Sequence, residues 1–137
     1  MIVVDASAIV AMMVREADGA DLAFRLDAVS RGPGLRSAST VTLWEAACAV
    51  ARVDNVDFER GFQLVERFCQ LAGIEPVAPD MPITALAVEA AQRYGRGAGR
   101  PGILNLGDCF SYATAKHLGA ALLFKGEDFS RTDIRSA

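Results

Sequence analysis

The 137-residue sequence predicts an α/β fold in which a central parallel sheet is covered by helices on both faces. Two short apolar runs typical of buried strands, residues 2–4 and 121–124, lie near opposite ends of the chain. Between them, apolar residues recur at helical spacing in several stretches. The chain has the length of one ordinary domain, so we expect residues 1–137 to form a single domain.

Strands and helices are expected to alternate along the chain. The predicted helices cover 6–14, 17–29, 41–52, 58–72, 81–94 and 107–118. The turn at Gly32-Pro33-Gly34 follows the second of them. A further strand is predicted over 74–77, and it contains Pro76, which has no N–H to donate to a neighbour. We therefore expect this strand at an edge of the sheet.

Composition narrows the classes of function. The net charge of -3 provides no general basic surface for nucleic acid, so phosphate binding must be local or depend on a metal ion. The 3 cysteines show no CxxC spacing and there is 1 histidine, which excludes a structural zinc cluster and favours reduced thiols. No segment resembles a signal peptide or a membrane span, so we expect a cytoplasmic protein without membrane contact.

Four acidic residues occupy positions where an α/β protein binds ligands. Asp5 follows the first strand directly, and Asp128 lies just beyond the last strand. Ligands of an open parallel sheet bind at the carboxyl ends of its strands. Glu45 lies on a mostly apolar helix face, and Asp108 stands in the first turn of its helix. Together, these carboxylates predict one acidic cleft.

Each acid also has a purely structural interpretation. Asp5 can cap the helix that follows it, and Glu45 can form a capping box with Thr42. Asp108 can complement a helix dipole, and Asp128 can be a turn residue. The functional hypothesis rests on the set, because carboxylates that share a cleft repel one another unless a cation intervenes. Oxygen ligands suit Mg²⁺ or Mn²⁺, which can activate water for phosphodiester hydrolysis.

Four motifs containing these acids resemble the PIN-domain family, and in particular the VapC toxins of bacterial toxin–antitoxin pairs. The motifs are VDASA at 4–8, TLWEA at 42–46, LNLGDCF at 104–110 and LFKGEDF at 123–129. They occur in the family's order and span nearly the whole chain. The resemblance implies a three-layer α/β/α PIN-like domain with a central parallel sheet.

The resemblance also implies a function, a cofactor and partners. It implies an endoribonuclease dependent on Mg²⁺ or Mn²⁺ that hydrolyses RNA, with transfer RNA among the candidate substrates. The implied catalytic and metal-binding residues are Asp5, Glu45, Asp108 and Asp128, supported by Ser7 and Glu127. It further implies a homodimer, and a VapB-type antitoxin whose C-terminal segment enters the active-site groove.

Three basic residues are candidates for RNA phosphate contacts. Arg96 and Arg100 lie on the glycine-rich segment 95–102, and Lys125 precedes the last acid. The alternative for each of them is a solvated surface position. Trp44, beside Glu45, is expected in the core or in a subunit interface.

Two other functions remain open at this stage. A phosphatase of the haloacid-dehalogenase type also has an Asp after its first strand, but it needs a second acid two positions later, where this chain has Ser7. A non-enzymatic module could instead use the acidic groove to hold a basic peptide. Such a module would cut no RNA and would gain no thermal stability from Mg²⁺ or Mn²⁺.

Overall fold

The computed structural model describes residues 1–96 and 102–137, which form a four-stranded parallel sheet and six helices within that part of the chain. The strands are β1 (Ile2–Val4), β2 (Arg36–Ser39), β3 (Glu75–Val77) and β4 (Ala121–Leu123). The helices are α1 (Ala6–Met13), α2 (Gly19–Asp27), α3 (Thr40–Asp54), α4 (Phe58–Ala72), α5 (Met81–Tyr94) and α6 (Leu106–Leu118). The strand order is β3-β2-β1-β4, and every neighbouring pair is parallel.

The sheet separates two apolar cores, as a three-layer fold requires. Alternate residues of β1 face opposite sides, so that Ile2 and Val4 join one core while Val3 joins the other. Helices α1 to α4 cover the first face, and α5 and α6 cover the second. The predicted α/β/α architecture with a central parallel sheet is confirmed.

Strand β2 was not predicted, because its sequence, Arg-Ser-Ala-Ser, has no apolar run. All four of its residues are nevertheless buried. Arg36 fits there because its guanidinium donates to the carbonyl oxygens of Val29 and Ala72. These carbonyls lie near the C-terminal ends of α2 and α4. Their hydrogen bonds replace those that the Arg36 guanidinium would make with water.

Most other predicted elements agree with the structure to within two residues. The bounds of α4 and α5 are the predicted ones, and β3 lies at a sheet edge as Pro76 requires. Helix α4 ends where Gly73 adopts a φ of 69°, a left-handed conformation that favours glycine. Within the described residues, no helix is both long enough and apolar enough to cross a membrane.

The segment after β4 covers the outer edge of that strand. Leu122 donates its N–H to the Arg135 carbonyl, and Ala137 donates to the Leu122 carbonyl. The side chain of Asp133 attaches the same segment to α5 and α6, since it accepts hydrogen bonds from Tyr94, Tyr112 and Lys116. A sheet edge that would otherwise expose unpaired backbone groups is thereby covered.

Candidate active site

The four predicted acids line one cleft at the carboxyl end of the sheet. Asp5 follows β1, Glu45 lies on α3, Asp108 lies in the first turn of α6, and Asp128 follows β4. The cleft has a volume of about 360 Å³. Strands β1 and β4 are neighbours, which brings Asp5 and Asp128 to the same edge. The structure therefore brings together acids that lie as much as 123 positions apart in the sequence.

Asp5 is buried and is the most extensively hydrogen-bonded of these carboxylates. Its Oδ2 accepts from the N–H of Ser7 at 2.9 Å and from the Ser7 hydroxyl at 2.6 Å. Its Oδ1 accepts from the Ser111 hydroxyl at 2.6 Å. The Ser7 oxygen in turn accepts the backbone N–H of Lys125 at 3.0 Å. Asp5 is thus the N-cap of α1, and its orientation is fixed from both sides.

Glu45 is half-buried, and its carboxylate lies directly against the backbone of Gly107. A Cβ at position 107 would stand 1.8 Å from the Glu45 Oε2, so only glycine leaves room for this acid. Burial, followed by the charges of Asp5 and Asp108, raises the pKa of Glu45 to about 7. The capping-box interpretation of Glu45 is wrong, because α3 begins one turn earlier than that box requires, with Ser39 as its N-cap.

Asp108 combines a structural role with a place in the cleft. Its Oδ2 accepts the Asn105 N–H at 2.9 Å, and its own N–H donates to the Asn105 side chain at 2.8 Å, which forms a capping box at the start of α6. The pKa of Asp108 is raised to about 6, chiefly by burial. The hydrogen bond from Asn105 opposes this rise, the charges of Asp5 and Asp128 add to it, and the charge of Arg96 opposes it. Asp108 therefore experiences the charge of two other acids.

The two neighbouring acids after β4 are placed differently. Asp128 is exposed at the rim of the cleft. Glu127 is also exposed, but it lines a different cleft together with Asp18 and Arg25. The structure therefore brings Asp128, and not Glu127, to the other three acids.

The predicted basic residues that the structure describes differ in their contacts. Lys125 lines it, but its ammonium is paired with Glu16, and Asp18 lies 4.0 Å away. Arg96 donates to the Ile103 carbonyl at 3.1 Å. Arg100 lies outside the described residues. Sequence patterns did not single out Arg52, which also lines the cleft from α3.

Trp44 is 67% exposed, so it does not pack in the core of this chain, and the other expectation for it, a subunit interface, stays a prediction. It lines a second cleft together with Phe58 and Phe62. Glu45 and Arg52 line both clefts, so the two are adjacent. An apolar groove with exposed aromatic rings therefore adjoins the acidic one.

The donor set suits a hard divalent cation, because it consists of carboxylate oxygens whose mutual repulsion a cation would relieve. Among residues 1–96 and 102–137, no three His, Cys, Asp or Glu side chains are already arranged as ligands of one ion. The acids share the cleft without forming a ready-made ligand cluster. Asp5, Glu45 and Asp108, with Asp128 at the rim, are the residues that could hold such an ion.

Comparison with known proteins identifies the family. The family model of the PIN domain matches residues 2–135. The chain belongs to the PIN-domain family. This PIN domain is 40% identical to Ribonuclease VapC42 of Mycobacterium tuberculosis over 135 residues, 98% of each chain. It is 38% identical to a VapC ribonuclease of Rhizobium meliloti, with 96% of this chain and 97% of the relative aligned.

A solved structure agrees with the fold. The crystal structure of VapC20 of Mycobacterium tuberculosis, described as a toxin that cleaves the sarcin–ricin loop, matches with a TM-score of 0.72. The match covers 100% of this PIN domain and 98% of VapC20 at 19% sequence identity, so it supports the fold alone. The family resemblance predicted from the four acidic motifs is confirmed by the PIN-domain match and by the VapC relatives.

Proposed function

We propose that this PIN domain is the ribonuclease toxin of a VapBC-type toxin–antitoxin pair and cleaves RNA phosphodiester bonds in the cleft of Asp5, Glu45, Asp108 and Asp128. One observation carries the site assignment. Three of these acids are at least half-buried in a single cleft, and two of them, Glu45 and Asp108, have a raised pKa because of burial and of the charges of neighbouring acids. A fold tolerates such a cluster where it serves catalysis or metal binding.

Mg²⁺ or Mn²⁺ is the proposed cofactor, held by Asp5, Glu45 and Asp108 with Asp128 at the rim. Dependence on divalent metal is a general property of PIN-domain VapC nucleases. When bound, the ion supplies charge neutralisation at the scissile phosphate and lowers the pKa of a water molecule. The protein's own contribution is to orient Asp5 through Ser7, and Asp108 through Asn105.

The RNA strand is held beside the acids by the basic residues of the rim. Arg52 and Lys125 line the cleft, and Arg96 lies close enough for its charge to act on Asp108. Their charges offset the repulsion that a phosphate meets in an acidic groove. Arg100 is a further candidate from the sequence. The substrate class is RNA, and transfer RNA is one candidate within it.

The proposed protein partners are a VapB-type antitoxin and a second copy of this chain. Trp44, Phe58 and Phe62 line an apolar groove that shares Glu45 and Arg52 with the acidic cleft. A bound antitoxin segment could fill the apolar groove and extend over the acids. This adjacency supports inhibition by occlusion of the active site.

The test is cleavage of total cellular RNA by purified protein that is free of antitoxin, with Mn²⁺ or Mg²⁺ and with EDTA. We expect metal-dependent cleavage at discrete positions, lost in Asp5→Ala and Asp108→Asn. Glu66→Gln, which alters an exposed acid on α4, is the matched control and should cleave as the wild type does. Cleavage that persists in EDTA, or in both cleft variants, would refute the proposal.

The two alternatives from the sequence find no support in these findings. The position two residues after Asp5 is Ser7, which is engaged as a donor to Asp5, so no second acid of the dehalogenase type is present there. The relatives over nearly the full chain are ribonucleases, which sets aside a purely peptide-binding module.

A further inference from the structure

Two buried hydroxyl groups that are not among the predicted site residues form a chain to Asp5. Thr42 on α3 and Ser111 on α6 are both inaccessible to solvent. The Thr42 Oγ1 lies 2.8 Å from the Ser111 Oγ, and the Ser111 hydroxyl donates to the Asp5 Oδ1 at 2.6 Å. The chain thus runs from α3 through α6 to the end of β1.

The direction of this chain follows from counting hydrogens. A serine hydroxyl has one hydrogen, and that of Ser111 is donated to the Asp5 carboxylate. The hydrogen between Thr42 and Ser111 must therefore belong to Thr42. Each bond polarises the next one, so the Thr42 donor strengthens the bond from Ser111 to Asp5.

The spacing of the two hydroxyls relates them to the other acids. Thr42 lies three positions before Glu45, and Ser111 lies three positions after Asp108. Each hydroxyl is therefore about one helical turn from the acid on its own helix. Their contact joins the helices that carry Glu45 and Asp108, and the bond to Asp5 adds the strand end that carries the third acid.

A comparison within α6 shows that this arrangement is not the default for a buried helical hydroxyl. Thr114, also inaccessible, donates to the carbonyl of Phe110 four positions earlier in its own helix. Ser111 makes no such local bond and points to Asp5 instead. The hydroxyl of Ser111 therefore serves Asp5 and not the backbone of its own helix.

We propose that Ser111, supported by Thr42, is a positioning residue that holds Asp5 in the orientation that binds the divalent cation. This inference rests on the proposed metal-dependent function. Ser7 holds the Asp5 Oδ2 and Ser111 holds the Oδ1, so neither oxygen is free to rotate away from the cleft. Groups behind a metal ligand commonly change metal affinity by about 10–100-fold when they are removed.

The experiment is a titration of the purified full chain with Mn²⁺, in which free Mn²⁺ is measured by electron paramagnetic resonance. Ser111→Ala should raise the Kd for Mn²⁺ by about 10–100-fold. Ser111→Cys keeps a hydrogen-bond donor at this position, although a weaker and somewhat larger one, so its Kd should lie between those of wild type and Ser111→Ala. The thermal midpoint of each metal-free variant shows that it is folded.

Thr42 and Thr114 provide the matched variants. Thr42→Val should raise the Kd by several-fold in the wild-type background and should have no further effect when combined with Ser111→Ala, because the chain is already broken. Thr114→Val removes a buried hydroxyl from the same helix without touching Asp5, and it should leave the Kd unchanged.

Three results would overturn the inference. If the wild type binds Mn²⁺ and Ser111→Ala binds it equally well, the positioning role is refuted while the metal site stands. If Thr114→Val weakens binding as much as Ser111→Ala, the effect is one of general packing. If the wild type binds no Mn²⁺, the proposed metal site itself fails, and the positioning role fails with it.

Discussion

Asp5 and Asp108 each use one carboxylate for two purposes. The carboxylate accepts a backbone N–H at the start of a helix, and it also lines the cleft. Asp5 caps α1, and Asp108 completes a capping box with Asn105. The structural and functional interpretations of these acids are therefore compatible. Capping orients the carboxylate, because hydrogen bonds from the backbone hold one oxygen while the side chain remains at the surface of the cleft.

Gly107 is the residue whose substitution should separate activity from stability. Gly107→Ala places a methyl group where the Glu45 carboxylate lies, so Glu45 must move. A displacement of about 1 Å at a reacting site costs on the order of 100-fold in rate. Alanine favours a helix by about 1 kcal/mol over glycine, which offsets the cost of displacing Glu45, so the thermal midpoint should not fall. RNA cleavage rates and thermal unfolding of the same samples test this.

The variant Glu45→Ala provides the control for that prediction. Once the carboxylate is removed, adding Gly107→Ala should cause no further loss of activity and no loss of stability. A large additional loss would show that Gly107 acts through some contact other than the one with Glu45.

The raised pKa of Glu45 and of Asp108 predicts that pH and metal affect stability together. The fold binds these protons more tightly than the unfolded chain does, since the pKa values of about 7 and about 6 exceed the ordinary 4.5 and 3.8. The resulting stabilisation is present below the ordinary values and is lost as pH rises towards 7. Glu45→Gln should therefore stabilise the metal-free protein more at pH 8 than at pH 5.

Thermal unfolding of wild type and Glu45→Gln at both pH values, with EDTA present, measures this difference. A parallel series with Mn²⁺ should show the wild type regaining stability at pH 8, where its acids are ionised. An equal effect of Glu45→Gln at pH 5 and pH 8 would contradict the assignment.

At the scale of elements, strand β2 depends on one buried cation. Arg36 donates to carbonyls near the ends of α2 and α4, and the exposed Asp27 carboxylate lies 3.5 Å from it. Its neighbour Arg31 also pairs with Asp27 and donates to the Leu71 carbonyl, but at the surface. The two arginines have similar partners and differ in burial.

Arg36→Met should destabilise the fold by about 2–4 kcal/mol, because it removes the buried donor of the Val29 and Ala72 carbonyl oxygens. The expected fall in thermal midpoint is on the order of 10 °C. Arg31→Met should cost less than about 1 kcal/mol, since water replaces its bonds. Chemical denaturation of both variants measures the difference, and equal losses would show that burial of Arg36 is not what matters.

At the scale of the whole molecule, the segment after β4 joins the sheet edge to the second helical layer. Asp133 accepts from the Tyr112 hydroxyl at 2.6 Å and from the Lys116 ammonium at 2.8 Å. These bonds hold the pKa of Asp133 well below its usual range. The stabilisation is present above the ordinary carboxyl pKa and disappears as the solution is acidified below it.

Asp133→Asn should lower the thermal midpoint by a few degrees at pH 7, which corresponds to about 1 kcal/mol for a half-exposed charged hydrogen bond. The same substitution should matter less at pH 3, where this carboxyl group is already largely protonated in the unfolded chain while the folded protein still holds it ionised. RNA cleavage per folded molecule should be unchanged, because Asp133 does not line the acidic cleft. A greater loss at pH 3 than at pH 7 would contradict this account.

The sequence by itself determined the elements that have strong local signals, and the acids that follow strands or begin helices. The periodicity of α4 and α5 and the glycine at position 73 predicted those helices, and Pro76 predicted an edge strand. Asp5 and Asp128 could be paired in advance because the carboxyl ends of neighbouring parallel strands meet. These inferences use only local chemistry and the general geometry of α/β folds.

Only the tertiary structure decided the partners of those acids. Strand β2 has no apolar pattern, and Arg36 is stable there because two distant helix ends supply carbonyls. Likewise, nothing in the local sequence around Ser111 or Gly107 indicates a role in the cleft. Ser111 is a hydroxyl residue within a helix, and Gly107 is a glycine in the first turn of that helix. Their roles arise because α3, α6 and β1 converge, and such contacts depend on packing between segments that are remote in the chain.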